Sequence, residues 1–122
     1  MIEDHFEIAQ SFELSTGKRE YGKVLYEKQC GFAHYIDHGK KPHYLVKLWM
    51  LPGHMYYLVR NSGDGSRFTL FSKREIDEGD NVVFRNPIGQ GVISEKLKTH
   101  LEVQFTFPMQ RIFMSLFPIP VH

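Results

Sequence analysis

Turn-forming residues divide this chain into short segments, and their spacing limits the secondary structure that can form. Breaks recur about every 10–15 residues, so ordinary helices have little room, whereas strands of about five or six residues fit between the breaks. The ten Phe and six Tyr residues also favour strands over helices. The breaks fall at Gly17, Gly22, Gly31, Gly39, Pro42, Pro52-Gly53, residues 61–65, Gly79, Pro87, Gly89, Pro108, Pro118 and Pro120.

The clearest strand covers residues 99–107, where Leu101, Val103 and Phe105 alternate with polar side chains. Alternation with a period of two predicts a strand that buries one face and exposes the other. Residues 55–60 and 67–71 flank a loop that contains Gly63 and Gly65, which predicts an antiparallel hairpin. Further strands are predicted at residues 44–50, 82–85 and 90–94, with less regular candidates at 11–14 and 23–26.

Two segments carry helical predictions. Residues 1–10 form the first, and residues 109–117 form the second, because their apolar side chains recur at helical spacing between Pro108 and Pro118. A final strand over residues 111–117 is the alternative for the second segment. The sequence therefore predicts one mainly β domain over residues 1–122, a small antiparallel β-barrel or β-roll with one or two short helices.

A turn pattern within residues 76–105 reads G-D-x-V, then G-x-G-x-V and, after a spacer, V-x-F. It consists of Gly79, Asp80, Val82, Gly89, Gly91, Val92, Val103 and Phe105. In these positions the region 76–112 resembles the small SH3-like barrels, which include the Tudor-like tail of superfamily-1 DNA helicases and the RNA-polymerase-interacting domain of the CarD family. The resemblance implies a strongly bent hairpin and a protein- or nucleic-acid-binding role, without carrying over any contact residue. Residues 1–72 resemble no family.

The charge and the cysteine content of the chain indicate the cellular compartment in which it works. The net charge is +1, although residues 18–47 form a mildly basic region with seven Lys or Arg residues against three acidic ones. Cys30 is the only cysteine, which fits a reducing compartment. The acidic N-terminus is unlike a signal peptide, and the longest apolar run, residues 48–51, is too short to cross a bilayer. A cytoplasmic protein without membrane contact is therefore predicted.

One set of residues has the chemistry of a metal site. Cys30, His34 and His38 are each four residues apart, which on a helix would place a thiol and two imidazoles on one face. Gly31 and Gly39 disfavour a helix there, and no second cysteine supplies a paired ligand. We therefore predict no metal site and no cofactor. No nucleophile and base stand in a known motif, so no catalytic residue is predicted.

Aromatic and basic residues alternate in two stretches, at residues 41–49 and 56–68. Barrels can use such strands to bind bases or protein anchors. The predicted binding residues are Lys40, Lys41, Lys47, Trp49, Tyr56, Tyr57, Arg60 and Arg67. We predict a non-enzymatic binding or accessory protein that engages a macromolecule, with two alternatives. One is a nucleic-acid-binding barrel that uses residues 18–47; the other is a small-molecule-binding barrel or minor enzyme with a pocket lined by Tyr44, Trp49, Tyr56 and Phe68.

The C-terminal segment also predicts self-association. It is strongly apolar, and exposed apolar surface of this kind marks interfaces. The alternative is that the segment closes the open end of the barrel. The residues concerned are Met109, Ile112, Phe113, Leu116 and Phe117.

Overall fold

The computed structural model describes residues 8–37, 41–79, 81–106 and 110–120. Every regular element in this part of the chain is a β-strand. The strands are β1 (Ile8–Glu20), β2 (Lys23–Ile36), β3 (His43–Leu48), β4 (Tyr56–Arg60), β5 (Arg67–Ile76), β6 (Val82–Ser94), β7 (Leu97–Phe105) and β8 (Arg111–Ser115).

The eight strands form a closed antiparallel sheet in sequence order, because β8 returns to pair with β1. Leu14 of β1 lies opposite Met114 of β8, and both side chains point into the ring. Inward-facing residues of the strands fill this interior, mostly at alternate positions. The buried interior residues are Phe12, Leu14, Cys30, Ala33, Val46, Leu48, Leu58, Phe68, Leu70, Leu101, Val103, Phe105, Ile112 and Met114.

The prediction of a mainly β, antiparallel fold is confirmed, and so is the hairpin between residues 55–60 and 67–71. The prediction of one or two short helices is wrong. Residues 8–10 belong to β1, residues 111–115 form β8, and residues 1–7 and 107–109 lie outside the described chain. The apolar stripe of β8 looked helical because its inward and outward faces are both buried: Ile112 and Met114 face the core, and Phe113 faces outward beneath other residues.

The two strands predicted at residues 82–85 and 90–94 are one continuous strand, β6. Asn86 adopts a left-handed backbone conformation with φ of 60°, which Asn tolerates better than most residues. The register between β5 and β6 shifts just beyond Asn86, between Pro87 and Gly89, so the strand bends without ending.

The hairpin between β1 and β2 extends beyond the ring and folds back on the outer side of β7. We call residues 16–28 the first arm. Arg19 forms an ion pair of 3.4 Å with Glu102, and Glu27 accepts a hydrogen bond of 2.8 Å from His100 Nε2. Phe113 points outward beside these contacts and is 0% exposed. The first arm therefore provides a second layer over part of the wall.

The hairpin between β5 and β6 forms a second arm, residues 72–79 and 81–85, against the outer side of β3 and β4. Arg74 donates a hydrogen bond of 2.9 Å to His43 Nε2, and the ring of Phe84 lies 4.9 Å from that of His43. His43 Nδ1 donates to the Lys41 carbonyl at 2.9 Å, so the buried imidazole is the neutral Nδ1–H tautomer. An outer apolar cluster of Ile36, Leu45, Tyr57, Phe71 and Phe84 surrounds it.

Within the described part of the chain, no helix has the length and apolar character needed to cross a lipid bilayer.

Candidate functional site

The loop between β3 and β4 exposes an unusual concentration of large apolar side chains at one end of the ring. Two successive turns fold this loop, since the Leu51 amide donates to Leu48 O at 3.1 Å and the His54 amide donates to Leu51 O at 3.0 Å. Trp49 is 55% exposed and Met50 58% exposed, and both Leu51 and Met55 are exposed beside them. The loop thus presents its apolar side chains to solvent instead of packing them inward.

A cavity of about 350 Å³ opens beside this loop. Tyr56 and Phe105 meet edge to face in its wall, with ring centroids 5.9 Å apart, and His54 stacks on Tyr56 from outside. No Lys, Arg, Asp or Glu lines the cavity among the described residues. Its lining consists of Leu48, Met50, Leu51, His54, Tyr56, Ser72, Ile88, Phe105, Gln110 and Ile112. We call residues 49–55 together with this cavity the apolar end.

Trp49 also belongs to a line of rings that continues down the outer wall. Its ring meets that of Phe32 at 5.8 Å, and Phe32 stacks on His34 at 6.2 Å. Ser11 Oγ lies 2.8 Å from His34 Nδ1. The positive charge of Lys47 interacts electrostatically with the same imidazole. Burial is the main cause that lowers the pKa of His34, and Lys47 lowers it further. His34 is therefore held neutral over a wider pH range than an exposed histidine.

The opposite end of the ring is basic. Arg60 ends β4 and Arg67 begins β5, while Lys41 lies exposed just before β3. Arg67 is paired with Asp64 at 3.5 Å, and Asp64 also accepts two hydrogen bonds from Ser66, which lower the pKa of its carboxyl. The guanidinium of Arg60 instead lies over the ring of Phe68, 5.4 Å from its centroid. We call Lys41, Arg60 and Arg67 the basic end.

The predicted binding residues therefore do not form one surface. Trp49 and Tyr56 lie at the apolar end, and Lys41, Arg60 and Arg67 lie at the basic end. Lys47 is exposed on the outer wall near Trp49, and Tyr57 is buried in the outer apolar cluster beneath Arg74. Lys40 lies outside the described residues.

The pocket predicted from Tyr44, Trp49, Tyr56 and Phe68 is likewise divided. Tyr56 lines the cavity at the apolar end, whereas Tyr44 and Phe68 line a smaller one at the basic end. Met50, Leu51, His54 and Met55 were not predicted as site residues. The sequence feature that could have indicated them is the run W-M-L-P-G-H-M at residues 49–55. A Pro-Gly turn interrupts its apolar residues and so prevents them from packing as a strand.

The Cys30 and His34 side chains lie on different sides of β2. Cys30 is buried in the core, where burial raises the pKa of its thiol, and His34 is on the outer wall. His38 lies outside the described residues, among which no three His, Cys, Asp or Glu side chains could hold a metal ion.

Most of the apolar C-terminal segment is internal to the fold. Ile112 and Phe113 are buried, and Leu116 packs against the core, while Phe117 is exposed. Met109 lies outside the described residues. Self-association through this segment stays a prediction, and Phe117 is its exposed member in the described part.

Comparison with known proteins gives no relative for this chain: no family model, no curated protein and no solved structure matches it.

Proposed function

We propose that this protein is a non-catalytic binding or accessory protein whose apolar end receives an apolar side chain of a protein partner. The observation that carries the proposal is the exposure of Trp49, Met50 and Leu51 together beside an open apolar cavity. Exposed apolar patches with a polar rim are typical of protein–protein interfaces. Trp and Met are enriched at such interfaces, and Trp is enriched among the residues that contribute most to binding.

Polar, uncharged side chains lie next to the apolar cavity, as at the rim of a protein–protein interface. Gln90, Gln104 and Thr106 surround a shallow depression that shares Phe105 with the apolar cavity. Uncharged hydrogen-bonding groups around an apolar centre suit a peptide backbone, which presents one donor and one acceptor per residue. Because nucleic-acid binding relies on neutralising phosphates, the uncharged lining favours a protein over a nucleic acid here.

A group of hydrogen-bonded polar side chains that resembles a catalytic triad in composition supports a binding role over catalysis. Ser15, Glu27 and His100 are connected, but the Glu27 carboxylate lies between the other two and accepts a hydrogen bond of 2.8 Å from each. In a catalytic triad the imidazole is hydrogen-bonded to the hydroxyl, whereas here the carboxylate separates the two groups. These hydrogen bonds therefore hold the first arm against β7 and do not activate Ser15. Ser15 is also only 3% exposed, which closes it to a substrate.

Selection from a random peptide library, displayed on phage, tests the proposal. We expect the selected peptides to contain a bulky apolar anchor and Trp49→Ala to weaken their binding about tenfold or more, as loss of an interface anchor does. Met50→Ala should also weaken binding. The matched control is Tyr26→Asn, which removes an 81% exposed aromatic residue from the first arm and suits the left-handed backbone at that position.

Two results would count against the proposal. Peptide binding that Trp49→Ala and Met50→Ala leave unchanged would show that the apolar end is not the site. Binding of a single-stranded oligonucleotide that falls steeply with salt, and that Lys41→Gln and Lys47→Gln weaken, would instead support the nucleic-acid-binding alternative.

A further inference from the structure

A second cavity lies at the basic end and has a different character from the first. Its volume is about 160 Å³, close to that of a cavity of about 150 Å³ known to hold one benzene molecule. The walls are mainly aromatic, with Tyr35, Tyr44 and Phe68 around Leu58, and Arg60 stands in the lining. A six-membered ring therefore fits this cavity, whereas a long apolar chain does not.

Arg60 brings a cation to the lining of this cavity. None of the ion pairs formed among the described residues includes Arg60, while the neighbouring Arg67 is held by Asp64. The guanidinium of Arg60 lies over the Phe68 ring, with Cζ 5.4 Å from the ring centroid. A guanidinium in this position can donate two parallel N–H hydrogen bonds to a carboxylate and loses little side-chain entropy on binding.

The other polar residues of the lining are Tyr35, Tyr44 and His43. The rings of Tyr35 and Tyr44 lie 5.0 Å apart, and neither hydroxyl takes part in a side-chain hydrogen bond within the described chain. Burial and Tyr35 raise the pKa of Tyr44 despite the opposing effect of Arg60, so its hydroxyl stays protonated and able to donate. Lys41, exposed next to the lining residue Pro42, adds positive charge at the entrance.

We propose that this cavity binds a small aromatic carboxylate. Its ring lies among Tyr44, Leu58 and Phe68, where edge-to-face contacts are already the preferred geometry: Tyr44 meets Phe68 at 67°. Its carboxylate accepts hydrogen bonds from Arg60 and the tyrosine hydroxyls. The site is separate from the apolar end, so the proposal does not depend on the protein partner.

Titration of the whole chain with benzoate tests the ligand class. Chemical shifts of the Tyr35 and Tyr44 ring protons should change saturably, because both side chains line the cavity that the ring of the ligand enters. Benzyl alcohol lacks the charge and acetate lacks the ring, so each should bind at least about tenfold more weakly than benzoate. Acetate binding as tight as benzoate, or the absence of saturation with benzoate at 10 mM, would overturn the proposal.

Two arginine variants test the position of the carboxylate. Arg60→Met keeps an apolar side chain at this position but removes the guanidinium, and should weaken benzoate about tenfold or more while leaving benzyl alcohol unchanged. Arg60→Lys retains the charge and should lose less affinity. Arg85→Met, a change at an exposed arginine of the second arm whose carboxylate partner is Glu75, should leave benzoate within about twofold. Benzoate affinity that is equal in wild type, Arg60→Met and Arg60→Lys would contradict the assignment.

Discussion

Adjacent residues of this chain have opposite roles because they face opposite sides of the sheet. Tyr56 points inward and lines the apolar cavity, and Tyr57 points outward yet is buried beneath Arg74 of the second arm. The sequence predicted both as exposed anchors, since alternation alone does not reveal which outward positions a distant hairpin will cover. Trp49 and Arg60, which the sequence also predicted as binding residues, are exposed, since both flank turns.

The environment of His34 predicts how the free energy of unfolding depends on pH. Its folded-state pKa lies below the ordinary value of 6.5, so the unfolded chain binds the proton more readily. The stabilising contribution is complete above pH 6.5 and is lost as the pH falls below that value towards the folded-state pKa. We expect the free energy of unfolding of His34→Asn, measured in urea, to fall less than that of wild type between about pH 7.5 and 5.

The comparison of the two proteins removes the contributions of the other histidines, which both contain. Parallel pH profiles for wild type and His34→Asn would show that His34 is not held neutral by burial and Lys47.

At the scale of elements, the two arms explain what the sequence could and could not reveal. The ring strands β3, β4 and β7 were predicted within about two residues, because turns bound them and their inner faces are regular. The arms were missed, since β1, β2 and β6 contain register shifts that interrupt their alternation. β8 was predicted as a helix first because burial of its outer face removed the contrast between its two sides.

Gly22 allows a prediction about the first arm. Tyr21 and Gly22 both have positive φ in the turn of this hairpin, and a Cβ on Gly22 would lie 2.7 Å from the Lys96 carbonyl oxygen. Gly63 has a similar φ of 85° with nothing within 4 Å of the same position. Gly63→Ala should therefore cost about 1 kcal/mol of unfolding free energy from backbone strain alone.

Gly22→Ala should cost at least about 1 kcal/mol more than Gly63→Ala, because the arm must move away from the β6–β7 turn. Urea denaturation of the two variants measures this difference. Equal losses would indicate that the first arm does not rest against Lys96.

At the scale of the whole molecule, closure of the sheet separates two surfaces that lie near each other in the sequence. Trp49 and Arg60 are only eleven positions apart, but β4 carries the chain from the apolar end to the basic end between them. The sequence predicted aromatic anchors with a charged rim. It could not predict that Trp49 and the two arginines, Arg60 and Arg67, occupy opposite ends, because that depends on strand direction and register.

Fluorescence of Trp49 tests the central claim most directly, because it is the only tryptophan in the chain and half of its surface is exposed in the free protein. Titration with a selected peptide should shift its emission to shorter wavelength and reduce its quenching by acrylamide, since an anchor that fills the apolar end excludes water from the indole. Saturable binding with unchanged emission and quenching of Trp49 would contradict the account.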